Sequence, residues 1–232
     1  MSQLALPLRL QDHAVFESFL PAGNEALVAY LEDTVNDGNG PGCWLHGAPA
    51  TGKTHLLQAV CERAGDTAQF VPLDLLADAG PGLLDGLEAR RFICLDDVDR
   101  VAGDRDWEIG LFSLFNTLLE TGGVLICAAS ASARECDFRL PDLQSRLSTL
   151  PSFHLHALAE AARIDALRLR ARHRGLELPE ETAAYLLTHS RRDMASLYRA
   201  LDRLDAEALK AQRRLTIPFV REVLGLSRQS SA

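Results

Sequence analysis

The sequence predicts an α/β fold: a five-stranded parallel sheet covered by helices on both faces, followed by a small all-helical domain. Three observations point to it. Five short apolar runs alternate with segments long enough to hold helices, which is the pattern of a parallel sheet. The segment Gly47-Ala48-Pro49-Ala50-Thr51-Gly52-Lys53-Thr54 fits G-x-x-x-x-G-K-[ST] at every fixed position and lies between a strand-like and a helix-like stretch. After Leu158 the strand-like runs stop and helical spacing takes over. At 232 residues the chain is long enough for one core of about 150 residues and a smaller second unit.

The first run, Cys43 to His46, leads into the glycine loop, and His55-Leu56-Leu57-Gln58-Ala59-Val60 reads as helix behind it. Further strand-like runs are Gln69 to Leu73, Phe92 to Asp96, Val124 to Ala128 and Ser152 to His156. Beyond Leu158, a helix over Glu160 to Arg174 closes at Gly175, and a second spans Pro179 to His189. A third, Asp193 to Gln212, carries Met194, Leu197, Leu201, Leu204 and Leu209 at mostly helical spacing; a last one starts at Thr216 and ends near Gly225.

The glycine loop has the chemistry of a phosphate cradle. Gly47 and Gly52 let the backbone curl so that successive N–H groups point at phosphate oxygens, and the following helix adds its positive N-terminal end. Lys53 reaches the outer phosphates and Thr54 ligates Mg²⁺, so ATP or ADP is the expected ligand. Only two lysines, Lys53 and Lys210, stand against twenty-two arginines, and one of the two sits in this loop. About forty residues on, Phe92-Ile93-Cys94-Leu95 ends in Asp96-Asp97, a buried strand running into acid. Asp96 is placed to hold the magnesium ion through water, and Asp97 to polarise an attacking water as general base.

Composition narrows the remaining classes. The net charge of −8 argues against gripping a phosphate backbone, and no sequence-specific DNA binding is expected. The charge is divided unequally, net −12 before Glu160 and net +4 from it onward. Five cysteines without C-x-x-C spacing, three of them inside strand-like runs, behave as small hydrophobes and suit a reducing cytoplasm. Neither membrane insertion nor export is indicated, because no apolar run reaches spanning length and the first twenty residues lack a signal-like pattern. His154 and His156 alternate on a strand-like run without a third ligand, and are read as a structural pair rather than a metal site.

Taken together, Gly52-Lys53-Thr54-His55-Leu56-Leu57, Leu95-Asp96-Asp97-Val98 with Gly103 behind it, and Leu114-Phe115-Asn116-Thr117-Leu118 resemble the AAA+ domain of the bacterial replication initiator DnaA. The likeness begins near Phe16-Glu17-Ser18-Phe19, and the initiator's oligomerisation and DNA-binding domains are expected to be absent. What remains is similar to the Hda family of DnaA-related regulators, whose ending Gln212-Arg213-Arg214-Leu215-Thr216-Ile217-Pro218-Phe219-Val220 is close to. The resemblance implies an AAA+ domain over 13–158, a helical lid over 159–232, and a leading extended peptide over 1–12. The loop residues 47–54, with His55, become its nucleotide-binding set.

Gln3-Leu4-Ala5-Leu6-Pro7-Leu8 is similar to the hexapeptide by which such regulators bind the sliding clamp, the β subunit of the replicative polymerase. Pro7 disfavours helix, Gln3 offers an amide, and Leu4, Leu6 and Leu8 supply apolar anchors for a groove. Arg146, within Leu140-Pro141-Asp142-Leu143-Gln144-Ser145-Arg146-Leu147, matches the family's arginine finger, a guanidinium offered to ATP on another subunit. Phe138 and Leu140 beside it suggest an exposed, partly apolar partner surface. Two positions depart from the initiator pattern: after the fourth strand only Ser130 can hydrogen-bond, and Ala195 stands where the lid offers a sensor arginine, with Arg192 about one turn away. Weak intrinsic turnover and a nucleotide held mainly as ADP fit these departures. The implied function is a cytoplasmic negative regulator that docks on the clamp and stimulates ATP hydrolysis by DnaA, with self-association left open. The alternative is an independent AAA+ ATPase of helicase-loader type, which uses Asp97 as its own base.

Overall fold

The computed structural model describes residues 14–38, 40–190 and 193–225. Helix α1 (Glu25–Asp37) precedes strand β1 (Gly42–His46), and α2 (Lys53–Ala64) follows the glycine loop. Next come β2 (Ala68–Pro72), the single-turn α3 (Leu73–Leu76), β3 (Phe92–Asp96), α4 (Arg105–Thr121), β4 (Val124–Ala129), α5 (Pro141–Leu147) and β5 (Ser152–His154). The five strands form one parallel sheet in the order β2-β3-β4-β1-β5.

The sheet is the expected one, and its small differences have a common cause in register. Pro72 lies opposite Asp96, the last residue of β3, so Leu73 has no ladder partner and opens α3 instead of ending β2. His154 lies opposite His46, the last residue of β1, so β5 stops there and His156 falls beyond the strand. The 73–91 segment holds no long helix; α3 is followed by 3-10 turns at Ala77–Ala79, Pro81–Leu84 and Leu87–Ala89. Pro81 has no N–H for an α-helical bond, which favours such short turns.

Strand side chains alternate between two helical layers. Trp44, Val71, Ile93, Leu95, Leu125 and Cys127 pack with Trp107, Leu111, Leu114 and Leu118 of α4 and with Leu143 and Leu147 of α5. Cys94 points the other way, where its thiol hydrogen-bonds Cys61 of α2. All five cysteines are buried free thiols, three of them on β1, β3 and β4. Trp44 completes its satisfaction by donating Nε1–H to the Ala131 carbonyl at 3.0 Å.

Contacts divide the described residues into two compact units: 14–16, 26–47 and 53–155 in the first, and 17–25, 48–52 and 156–225 in the second. The second contains α6 (Glu160–His173), α7 (Glu180–His189), α8 (Met194–Ala211) and α9 (Ile217–Leu224), within a residue or two of their expected limits. Its core gathers Leu167, Leu186, Leu197, Leu201, Leu204 and Val220. Leu209 does not join it and is 80% exposed; Ala208, four residues after Leu204, faces inward instead. One residue further along a helix is a rotation of about 100°, which carries Leu209 out of the stripe. Arg174, 8% exposed, closes α6 by reaching Asp202 at 2.5 Å and Asp205 at 3.7 Å on α8. Among the described residues no helix is long and apolar enough to cross a membrane.

Candidate functional site

The strand order makes β1, β4 and β3 neighbours, so Gly47 after β1, Ser130 after β4 and Asp96 at the end of β3 share the carboxyl edge of the sheet. That edge is where open α/β sheets bind ligands. The glycine loop leaves β1 at Gly47 and re-enters the first unit at Lys53. Its backbone is left-handed at Gly47 (φ 154°), Ala50 (61°) and Gly52 (107°). A Cβ on Gly47 would lie 2.5 Å from the Leu155 carbonyl oxygen, and one on Gly52 2.7 Å from the Phe19 ring, so neither position has room for a side chain. Within the loop Thr51 Oγ1 donates to the Ala48 carbonyl at 3.0 Å.

Lys53 opens α2 and is only 8% exposed, its Nζ donating to the Gly47 carbonyl at 2.8 Å. Burial lowers its pKa, while the carboxylates of Asp97, Asp96 and Asp99 pull the other way. Thr54, next on the helix, hydrogen-bonds the Asp96 carboxyl, which is 3% exposed and pushed up to about 6, chiefly by burial. Asp97 takes a left-handed φ of 53° at the start of the Val98–Arg100 turn; burial, then Asp74 and Asp99, raise its pKa. Ser130 Oγ donates to Asp99 Oδ2 at 2.5 Å, linking the end of β4 to that turn. His55 Nε2 lies 2.9 Å from the Val15 carbonyl oxygen.

These residues fit the group the sequence implies. Gly47 and Gly52 have left-handed backbone with no room for a side chain, the Lys53 ammonium stands on the Gly47 carbonyl, and a hydroxyl and a carboxylate meet at Thr54 and Asp96. Hydroxyl and carboxylate oxygens are the donors a magnesium ion takes, and N–H groups at a helix start suit phosphate. His154 is not paired with His156; its ring stands 5.1 Å from that of His46 on the adjacent β1. Burial is the main cause that lowers the His46 pKa, with His154 adding to it.

Arg146 occupies the last turn of α5 and is exposed. Among the described residues no hydrogen bond or ion pair holds its guanidinium. Phe138 and Leu140 do not form an exposed apolar surface beside it. Both are partly buried against the core, and Phe138 meets Trp44 edge-on at 6.4 Å. The apolar face of α5 is needed to cover the sheet, which draws these neighbours inward. Ala195 is exposed in the first turn of α8, and its methyl can make no ionic contact. Arg192, like Gln3, Leu4, Leu6, Pro7 and Leu8, lies outside the described residues.

Sequence reasoning missed Glu108, which is fully buried on α4 and accepts main-chain N–H bonds from Gly103, Arg139 and Leu140. Its signal was available, because position 108 falls within the inward stripe of 107, 111, 114, 115 and 118.

Comparison with known proteins places this geometry. Residues 160–224 match the family model for the lid domain of Hda. The chain is similar in structure to domain III of the Thermotoga maritima replication initiation protein DnaA, at 21% identity over 92% of this chain and 96% of that one, with a TM-score of 0.73. AMPPCP-bound DnaA from Aquifex aeolicus matches at 21% identity over 87% of this chain and 68% of that one, TM-score 0.68. The Thermotoga maritima RuvB Holliday junction branch migration motor matches at 16% identity over 88% and 69%, TM-score 0.62. With its five-stranded parallel sheet and the match over residues 160–224, the chain has an AAA+ fold like that of DnaA, and its last helices match the lid domain of Hda.

Proposed function

We propose that this protein is a DnaA-related regulator that turns replication initiation off by promoting ATP hydrolysis on the initiator. The observation that carries the reading is Arg146: an exposed arginine without an intramolecular partner among the described residues, standing on a helix whose other face is built into the core. A guanidinium left free in this way is available to a neighbouring molecule. Set beside the γ-phosphate of ATP bound to DnaA, it stabilises charge that develops in the transition state, a contribution on the order of 10³ to 10⁵ in rate in comparable systems. The match of residues 160–224 to the Hda lid supports the same assignment.

The protein's own nucleotide is ADP in this reading. Gly47 to Thr54 would cradle its phosphates, and Thr54 with Asp96 would hold magnesium, whose positive charge would offset that of the phosphates. This bound nucleotide is not the one that reacts. Ala195 leaves the lid without a sensor arginine at that position, which fits slow turnover. Residues 3–8 tether the protein to the sliding clamp, so a weak peptide contact concentrates Arg146 where clamps sit on DNA.

The test is ATP hydrolysis by ATP-bound DnaA in the presence of DNA-loaded clamp, compared without addition, with this protein, and with its Arg146→Ala form. Acceleration by the unmodified protein alone is the expected result. No acceleration, with steady hydrolysis by this protein itself, would instead support an independent ATPase that uses Asp97 as base.

A further inference from the structure

We propose that Glu108 is a positioning residue for Arg146: a carboxylate buried in α4 fixes where α5 starts, and so where the guanidinium at its far end stands. The inference rests on the reading of Arg146 given above. Glu108 is 0% exposed, and its partners are all main-chain N–H groups. Oε1 accepts from Gly103 at 2.7 Å and from Arg139 at 3.0 Å; Oε2 accepts from Arg139 at 3.0 Å and from Leu140 at 2.6 Å. Taking a carboxylate out of water is costly unless such donors fill its lone pairs. An apolar residue would serve the packing of α4 equally well, so what the carboxylate adds is geometry.

Gly103 lies just before α4, and the other two donors lie at the start of α5. Arg139 and Leu140 are the two residues before Pro141, where α5 begins. Leu140 is the N-cap, and its side chain has no oxygen with which to cap the helix. Glu108 meets the N–H groups there from a different helix. Gln144 Nε2 donates to the carbonyls of Cys136 and Arg134, both at 3.2 Å, while Leu143 and Leu147 are buried in the core. A helix of seven residues is thereby held at its start, its middle and its inner face. Arg146 stands six residues beyond Leu140, about 9 Å along the helix axis, and inherits the placement of that start. A misplacement of about 1 Å far from the chemistry can lower a rate about 100-fold, so a loosened start of α5 should be felt at the guanidinium.

The experiment uses the full chain and the DnaA hydrolysis assay with loaded clamp, comparing Glu108→Gln, Arg146→Ala and the double variant over a range of regulator concentrations. The amide of Glu108→Gln turns an NH₂ group toward main-chain donors and leaves at least one of them unpaired. Expected is a fall of about tenfold or more in maximal stimulation. The half-saturating concentration and the protein's own ADP affinity should stay within about twofold, an outcome that a general loss of structure would not give. In the Arg146→Ala background, Glu108→Gln should change nothing further. Full stimulation by Glu108→Gln while Arg146→Ala is inactive would overturn the positioning role and leave the arginine reading intact; full stimulation by Arg146→Ala would overturn both. Amide exchange in the unmodified protein gives a readout independent of folding in the variant. The Arg139 and Leu140 amides should be protected, and exchange as fast as in an open loop would overturn the anchor.

Discussion

Replacing Asp96 with Asn should make the nucleotide-free protein more stable at neutral pH while removing its response to magnesium nucleotide. Burial is the chief cause that holds the Asp96 carboxyl at about 6, against an ordinary value of 3.8. Because the native state binds this proton more tightly than the unfolded chain, the protonated carboxyl adds stability at low pH. That stability is lost as pH rises from about 4 to about 6 and is gone above it. A difference of about two pKa units corresponds to roughly 3 kcal/mol. Asn carries no charge, and its amide oxygen can still accept from Thr54 and from the Asp97 N–H, which now lies 3.2 Å from Asp96 Oδ1. Its NH₂ group gains no evident acceptor, which costs about 1 kcal/mol or more, so the expected net gain at pH 7 is about 1 to 2 kcal/mol. Urea unfolding without magnesium, followed by tryptophan fluorescence, measures it, since Trp44 and Trp107 both lie in the core of the α/β unit. The gain should shrink as pH falls toward 5. Excess magnesium–ADP should then stabilise the unmodified protein by about 2.7 kcal/mol at a hundredfold excess over Kd, and the variant by much less. Equal stability at pH 7, or a gain that does not change with pH, would refute the reasoning.

Further outcomes follow from single contacts. Gly47→Ala should cost about 2 kcal/mol or more and abolish nucleotide binding, because its Cβ would press on the Leu155 carbonyl in a backbone conformation that favours glycine; urea unfolding and ADP titration check it. Asp193→Ala should destabilise by about 1 kcal/mol, since Asp193 Oδ1 accepts the Ser196 N–H at 2.8 Å and caps α8; thermal unfolding by circular dichroism measures the loss. Gln3→Ala combined with Leu6→Ala should abolish retention on immobilised clamp and leave ADP affinity unchanged.

Much of the architecture was legible because it is written in short-range pattern. Four apolar residues running into Asp96 marked β3 to its last residue, and the spacing of Gly47, Gly52, Lys53 and Thr54 marked a loop whose left-handed backbone the structure reproduces. Helix limits in the second unit were readable from Gly175, Asp193 and Gly225, whose conformations or side chains end or begin a helix locally. Where the pattern misled, a neighbour distant in sequence decided. Leu73 has no strand opposite it, Leu209 is one residue out of phase with the core stripe, and Phe138 is drawn in by Trp44.

What the sequence by itself determined is the set of elements and the glycine positions at which the 47–54 loop curls, since glycine freedom, helix capping and apolar periodicity act within a few residues of chain. Only the tertiary structure decided the strand order that brings Gly47, Asp96 and Ser130 to one edge, the meeting of His46 with His154, and the burial of Glu108 under the start of α5. Each of these joins residues separated by long stretches of chain. Such pairings are selected by the packing of whole faces against one another, which no local window of sequence contains.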